Sequence, residues 1–143
     1  MDAAARAQRL FFHGMLLVVA GLVVGLVVPA FANPRMGLSA HTGMTMNGIL
    51  LIAMGAFWAR QGLGERTETI AWWLLVAGSW ITSAGLVAAA AFGTAAMTPI
   101  HGAPHAGPAA REALVGALLG VGGFAVLAGC IVAVWGLRTP PRV

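Results

Sequence analysis

Four long apolar segments dominate the sequence and leave few folds open to it. They cover residues 10–32, 39–58, 69–92 and 113–137. Each holds about 20 to 25 residues, so an α-helix rising about 1.5 Å per residue carries it across a hydrocarbon core about 30 Å thick. Such lengths exceed those of membrane β-strands, and a helix pairs its backbone polar groups internally. We therefore predict an all-α membrane protein, a bundle of four spanning helices.

The small share of charged residues supports this assignment. Charged residues make up 8% of the chain and hydrophobic ones 59%, against about 25% charged residues in a typical soluble domain. A water-soluble fold would lack polar groups for its outside, so the apolar surface must face lipid. The 143 residues suffice for one compact unit, and we predict a single domain over residues 1–143. The arginines sit singly near helix ends, which argues against nucleic-acid binding.

The arginines also predict an orientation. Arg35 and Arg111 flank one side of the predicted bundle, and the other side carries Arg6, Arg9, Arg60, Arg66, Arg138 and Arg142. The positive-inside bias then places both termini in the cytoplasm. An even number of spans also requires the termini to share a side. Pro140 and Pro141 are expected to end the last helix.

Two stripes of small residues bear on packing. Gly21-x-x-x-Gly25 and Gly116-x-x-x-Gly120 have the spacing that lets membrane helices approach closely. Contact within one bundle and contact between protomers both fit this spacing. Because four short spans enclose little volume, we favour a small homo-oligomer.

The predicted spans contain no Asp, Glu, Lys or Tyr. Carboxylate acid–base chemistry at the bilayer centre is therefore ruled out for an enzyme of this sequence. The remaining polar candidates within the spans are His13, His41, Thr45, Asn47, Ser79, Thr82 and Ser83. A site this poor in proton donors suits a bound metal that acts as a Lewis acid.

His41 is the best candidate for a metal ligand. Ser39 is expected to cap the second helix, which would place His41 in its first turn near the non-cytoplasmic face. Imidazole commonly ligates haem iron, although a histidine at the interface also fits. Asn47 lies six residues on, about 9 Å deeper and rotated by about 120°. It either orients a ligand or joins two helices by a hydrogen bond.

The other histidines carry weaker signals. His13 is expected to lie on the cytoplasmic side, nearly a membrane thickness from His41, with its ring reaching toward the interface. His101 and His105 fall in the Gly- and Pro-rich connection 93–111. We expect that connection to fold over one end of the bundle as a lid or entry surface. Trp80 is deep enough in its span to line a pocket.

Several motifs resemble a known enzyme family. Residues 29–41, followed by Met-Asn-Gly at 46–48, resemble the signature of the hydroxylaminobenzene mutases. His-Gly at 13–14, the stretch 93–100 and Trp-Gly-Leu-Arg at 135–138 are similar too. The pattern Ala-His-x-Gly-x-x-x-Asn-Gly over 40–48 also resembles, more distantly, the styrene oxide isomerases.

The more distant resemblance implies a site. Styrene oxide isomerases are four-helix membrane isomerases that bind haem b between the subunits of a trimer. Carried over, His41 is the axial iron ligand and Asn47 orients the substrate, while Thr45 and Gly48 would contact the haem. The resemblance also implies a bacterial inner membrane and a small aromatic substrate. Where the mutases tend to carry an asparagine on the third helix, this chain has Thr82, which is predicted to be catalytic.

The two resemblances imply two reactions. The mutase-like reaction converts an arylhydroxylamine to an ortho-aminophenol by intramolecular hydroxyl transfer, with ferric haem as the Lewis acid. The alternative is isomerisation of an epoxide to an aldehyde, but those isomerases use a tyrosine near the position of Leu86, and this chain has none. A small exporter of hydrophobic cations would need an intramembrane carboxylate to couple protons, and the predicted spans contain none. A non-catalytic membrane haem protein is the remaining alternative.

Overall fold

The protein is described by a computed structural model that covers residues 1–138. Four long helices account for most of it, with one short helix between the last two: α1 Ala3–Leu26, α2 Pro34–Phe57, α3 Glu65–Phe92, α4 Pro99–Gly102 and α5 Ala109–Gly136. No β-strand occurs among the described residues. The predicted all-α class is confirmed. Pro140, Pro141 and Arg142 lie outside the described residues.

The four long helices are long and apolar enough to cross a membrane. They hold 24, 24, 28 and 28 residues, and at about 1.5 Å per residue even the shortest exceeds the hydrocarbon thickness of about 30 Å. Each begins before the apolar segment that predicted it. The extra turns, such as residues 3–9 and 34–38, continue the helix beyond the apolar stretch.

The junction between α1 and α2 corrects the predicted boundaries. α1 ends at Leu26, and residues 28–30 form a 3₁₀ turn around Pro29, whereas the predicted span ran to residue 32. Asn33, not Ser39, caps α2, because its side chain accepts a hydrogen bond from the backbone N–H of Met36. The Ser39 hydroxyl instead donates to the backbone carbonyl of Arg35 at 3.2 Å. His41 therefore lies about two turns inside α2 rather than in its first turn.

The long helices pack in chain order. α1 packs along α2, α2 along α3, and α3 along α5. Glycines permit two of these approaches: a Cβ built on Gly48 would lie 2.6 Å from the carbonyl oxygen of Gly14, and one built on Gly78 would lie 2.9 Å from Cβ of Ala125. These close approaches bring α1 directly against α2 and α3 directly against α5.

The two small-residue stripes differ in their surroundings. Gly21 and Gly25 pack against α2, where a Cβ on either would meet Thr45 or His41. A Cβ on Gly116 or Gly120 would meet no atom of the described residues within 4 Å. Packing within one bundle thus accounts for the first stripe, and no part of residues 1–138 packs closely on the second.

A buried polar cluster fixes the end that carries the N-terminus. The guanidinium of Arg6, with a side chain 5% exposed, pairs with Glu68 at 2.9 Å and donates to Thr69 at 2.6 Å. The indole N–H of Trp58 donates to the same carboxylate at 2.7 Å, and that of Trp72 donates to the backbone carbonyl of Arg6 at 3.1 Å. These bonds tie α1 to the start of α3.

The connection between α3 and α5 is fastened at both ends. The Glu112 carboxylate accepts hydrogen bonds from the backbone N–H groups of Ala95, Ala96 and Gly107. The Asn33 amide donates to the carbonyl oxygens of His101 and Gly102 at 3.1 Å each. The connection accordingly lies across the end of the molecule where α2 begins, as the sequence predicted.

Candidate functional site

His41 is held in a defined orientation on α2. Its Nδ1 lies 2.8 Å from the carbonyl oxygen of Gly21 on α1. A carbonyl can only accept, so Nδ1 is the donor, and in the neutral ring Nε2 carries the lone pair. Metal-bound histidines typically donate one ring N–H to a backbone carbonyl or carboxylate and bind the metal through the other nitrogen. The Nδ1–H of His41 already has such a partner.

The His41 ring lies in an open groove between α1 and α2. The groove measures about 450 Å³, and its lining is otherwise apolar: Leu22, Gly25, Leu26, Val28, Pro29 and Leu38. Gly25 is required by the ring, because a Cβ there would lie 2.6 Å from Nδ1 and 3.0 Å from Cε1 of His41. The groove opens outward from the protomer, so a flat ligand on Nε2 would reach beyond it.

Thr45 and Gly48 extend the same helix inward. The Thr45 hydroxyl donates to the carbonyl oxygen of His41 at 2.9 Å and lies against Gly21. Gly48 is buried where α1 and α2 touch, with Gly14 and Val18 over its Cα. The backbone of α1 therefore covers Gly48, and neither residue lines the His41 groove. Their predicted contact with a cofactor stays a prediction.

Asn47 faces a different neighbour. Its side-chain amide donates to the hydroxyl of Ser83 on α3 at 3.4 Å. Ser83 lines a second groove, of about 440 Å³, whose other lining residues are Met44, Trp80, Ala84, Val87, Ala88, Ala91 and Phe92. Within one protomer His41 thus lines one groove and Asn47 bonds to a residue that lines another, in keeping with the rotation of about 120° between them.

Thr82 does not line the second groove. Its side chain points at Gly122 of α5, and its hydroxyl is buried without a hydrogen-bond partner among the described residues. The residue beside Asn47 is Ser83, one position along. A catalytic role of Thr82 stays a prediction, and the geometry favours Ser83 in its place. The spacing Ser79-x-x-x-Ser83 on one helical face was the available signal.

The other histidines are dispersed. His13 accepts a hydrogen bond from the indole N–H of Trp80 at 3.4 Å, and Nδ1 of His105 lies 3.1 Å from the carbonyl oxygen of Gly102. His101 is exposed at the rim of the loop. Over residues 1–138, no group of three or more His, Cys, Asp and Glu side chains could hold a metal ion. A metal at His41 would need its other ligands from elsewhere.

Fold and site together define a small integral membrane protein with four spans. One groove opens outward on each side of its second helix. The chain belongs to the styrene oxide isomerase family, whose model matches residues 6–138. It is 35% identical to hydroxylaminobenzene mutase HabB of Ectopseudomonas oleovorans over 139 residues, which cover 96% of this chain and 85% of HabB.

A second relative gives a consistent result. Hydroxylaminobenzene mutase HabA of the same organism is 37% identical over 111 residues, which cover 77% of this chain and 82% of HabA. No solved structure matches the chain significantly. The family and both relatives are isomerases, and the chain is therefore an isomerase of the mutase type.

Proposed function

We propose that the protein converts an arylhydroxylamine, such as hydroxylaminobenzene, to the ortho-aminophenol within the membrane. The observation that carries the proposal is the match to HabB along 96% of the chain. The hydroxyl group moves from nitrogen to the ortho ring carbon, and a ring proton moves to nitrogen. Substrate and product have the same atoms, so no oxidant or reductant is needed.

We propose haem b as the cofactor and His41 as its iron ligand. The donor set fits: Nε2 is free, Nδ1 is bonded to the Gly21 carbonyl, and the surrounding groove is apolar and open. A single histidine would suffice because a porphyrin brings its own nitrogen ligands to the iron. When bound, ferric haem supplies a Lewis acid that polarises the N–O bond.

The polar pair Asn47 and Ser83 is assigned to substrate orientation. Because the Ser83 oxygen accepts from Asn47, its own proton is left to donate into the groove, toward the oxygen of the substrate N–OH group. The rest of that groove is apolar and holds the aromatic ring against Trp80. A water-poor lining also keeps water from adding to the electron-poor ring, which would yield the para isomer.

The separation of the two grooves supports a shared site between subunits. His41 opens to one side of α2 and the Ser83 groove to the other. A site that contains both therefore needs the His41 face of one protomer against the Ser83 face of the next. A cyclic homo-oligomer satisfies this with identical contacts, and the family resemblance favours a trimer. We further propose the bacterial inner membrane, with both termini in the cytoplasm.

Product analysis in labelled water tests the proposal. Wild-type protein in lipid nanodiscs, supplied with hemin and phenylhydroxylamine in H₂¹⁸O, is expected to give 2-aminophenol without ¹⁸O. Formation of 4-aminophenol, or of labelled product, would overturn intramolecular transfer. Styrene oxide, the substrate of the alternative reaction, is assayed in parallel.

Isomerisation of an epoxide is the second candidate, and the family match favours it. The Leu86 side chain packs against Gly43 of α2, so an apolar group occupies the place of the tyrosine that the resemblance assigns to epoxide chemistry. We expect turnover of styrene oxide to be much slower than that of phenylhydroxylamine. Faster turnover of styrene oxide would reverse the assignment.

A further inference from the structure

A third groove adjoins the His41 groove on the exposed face of α2. It measures about 420 Å³ and is lined by Arg35, Leu38, Ser39, Thr42, Gly43 and His101. Leu38 lines both grooves. Unlike the other grooves around α2 it is rich in polar groups, and it lies toward the end of the helix, about 9 Å along the axis from His41 at Arg35.

The positive charge of this groove is uncompensated. Among the described residues the one ion pair joins Arg6 to Glu68 at the opposite end of the molecule. The acid on this side, Glu112, already accepts four hydrogen bonds from backbone N–H groups. Arg35 donates to a backbone carbonyl, that of Ile100, at 3.3 Å. Its guanidinium retains further N–H donors, and no carboxylate within residues 1–138 forms an ion pair with it.

The groove is also built by more than one element. Asn33, which caps α2, donates to the carbonyl oxygens of His101 and Gly102. These bonds hold the His101 backbone over α2, next to Arg35. The guanidinium of Arg35 and the imidazole of His101 thus line the same groove, and such a pair recognises anionic oxygen.

The geometry points to a binding site for the carboxylates of a porphyrin in this groove, with Arg35 and His101 as the donors. The inference rests on the proposed function, because it requires a haem at His41. Leu38 is the wall shared by the two grooves, so the apolar ring and the charged edge of one ligand would meet surfaces that match each of them. A phospholipid phosphate has the same anionic chemistry and is the competing occupant.

Two porphyrins test the inference. Hemin and iron protoporphyrin IX dimethyl ester share the metal and the ring and differ in their carboxylates. Each is titrated into apo-protein in nanodiscs of phosphatidylcholine, and binding is followed by Soret absorbance. We expect the wild type to prefer hemin by about tenfold, the size of one charge-assisted hydrogen bond. Arg35→Gln should reduce the preference to about twofold or less, and His101→Ala should reduce it in part.

Arg111→Gln is the matched control. Arg111 is the other arginine on this side of the bundle. Its guanidinium carbon lies 5.0 Å from the centre of the Phe92 ring, and it does not line the groove. The control should keep the tenfold preference. An unchanged preference in Arg35→Gln, or an equal loss in Arg111→Gln, would overturn the inference.

Two further outcomes separate this inference from the proposed function. A wild type that binds both porphyrins equally overturns the carboxylate site alone, whereas one that binds neither overturns the proposed cofactor as well. The titration is repeated with phosphatidylglycerol in the nanodiscs. Loss of the hemin preference there would assign the groove to a lipid phosphate and overturn the inference.

Discussion

Substitution of Gly25 by alanine tests how the His41 ring is positioned. The added Cβ would lie 2.6 Å from Nδ1 of His41, and an ordinary van der Waals contact begins at 3.4 Å. The ring must therefore retreat from α1 by about 0.8 Å. Gly21 lies one turn before Gly25 on the same helix, so the same movement stretches the 2.8 Å hydrogen bond to its carbonyl to about 3.6 Å, a distance at which no hydrogen bond remains.

Loss of that bond should weaken haem binding without unfolding the protein. Removal of a partner that orients a metal-bound histidine typically lowers metal affinity by about 10- to 100-fold. We expect this loss for Gly25→Ala in a hemin titration followed by Soret absorbance. The control is Gly64→Ala, because a Cβ at Gly64 meets nothing within 4 Å. Wild-type affinity in Gly25→Ala, or an equal loss in the control, would show that Gly25 does not position the His41 ring.

Two further predictions concern the second groove and the buried ion pair. Ser83→Ala should lower the rate of 2-aminophenol formation by at least about tenfold, as loss of one hydrogen bond to a developing charge would, while Thr82→Val should leave it within about twofold; the reverse order in steady-state assays would restore Thr82. Glu68→Gln should destabilise the protein by about 3 kcal/mol, because Arg6 is left buried without its counter-charge. Thermal unfolding in detergent measures this effect, exposed Glu65→Gln is the control, and equal melting temperatures would contradict it.

The spanning helices were readable because their signal is long and physical. A continuous segment of about twenty apolar residues is stable in few environments other than a membrane. The helix starts were less accessible, since hydropathy marks the part in lipid and not the turns that extend into water. For α2 the correct signal was present in Asn33 followed by Pro34, a capping residue before a proline at the first helical position. Ser39 is the misleading cap candidate because it stands where the apolar segment begins.

The site was predictable along each helix but not between helices. Spacing alone showed that His41 and Asn47 point in different directions. The choice between Thr82 and Ser83 depends on how α3 is rotated about its axis, which the packing of Gly78 and Gly122 against their neighbours decides. The hydrogen bond from Trp80 to His13 joins residues far apart in sequence, and no local sequence pattern predicts it. The carbonyl partner of His41 was equally hidden, since any backbone group could supply it.

Ligation of iron by His41 is tested by the Soret spectrum of the purified protein, recorded with saturating hemin for the wild type and for His41→Ala. We expect a Soret band that elutes with the wild-type protein in gel filtration and that is lost, or shifted to the position of free hemin, in the variant. A wild type without the band, or a variant with an unchanged one, would contradict ligation of iron by His41.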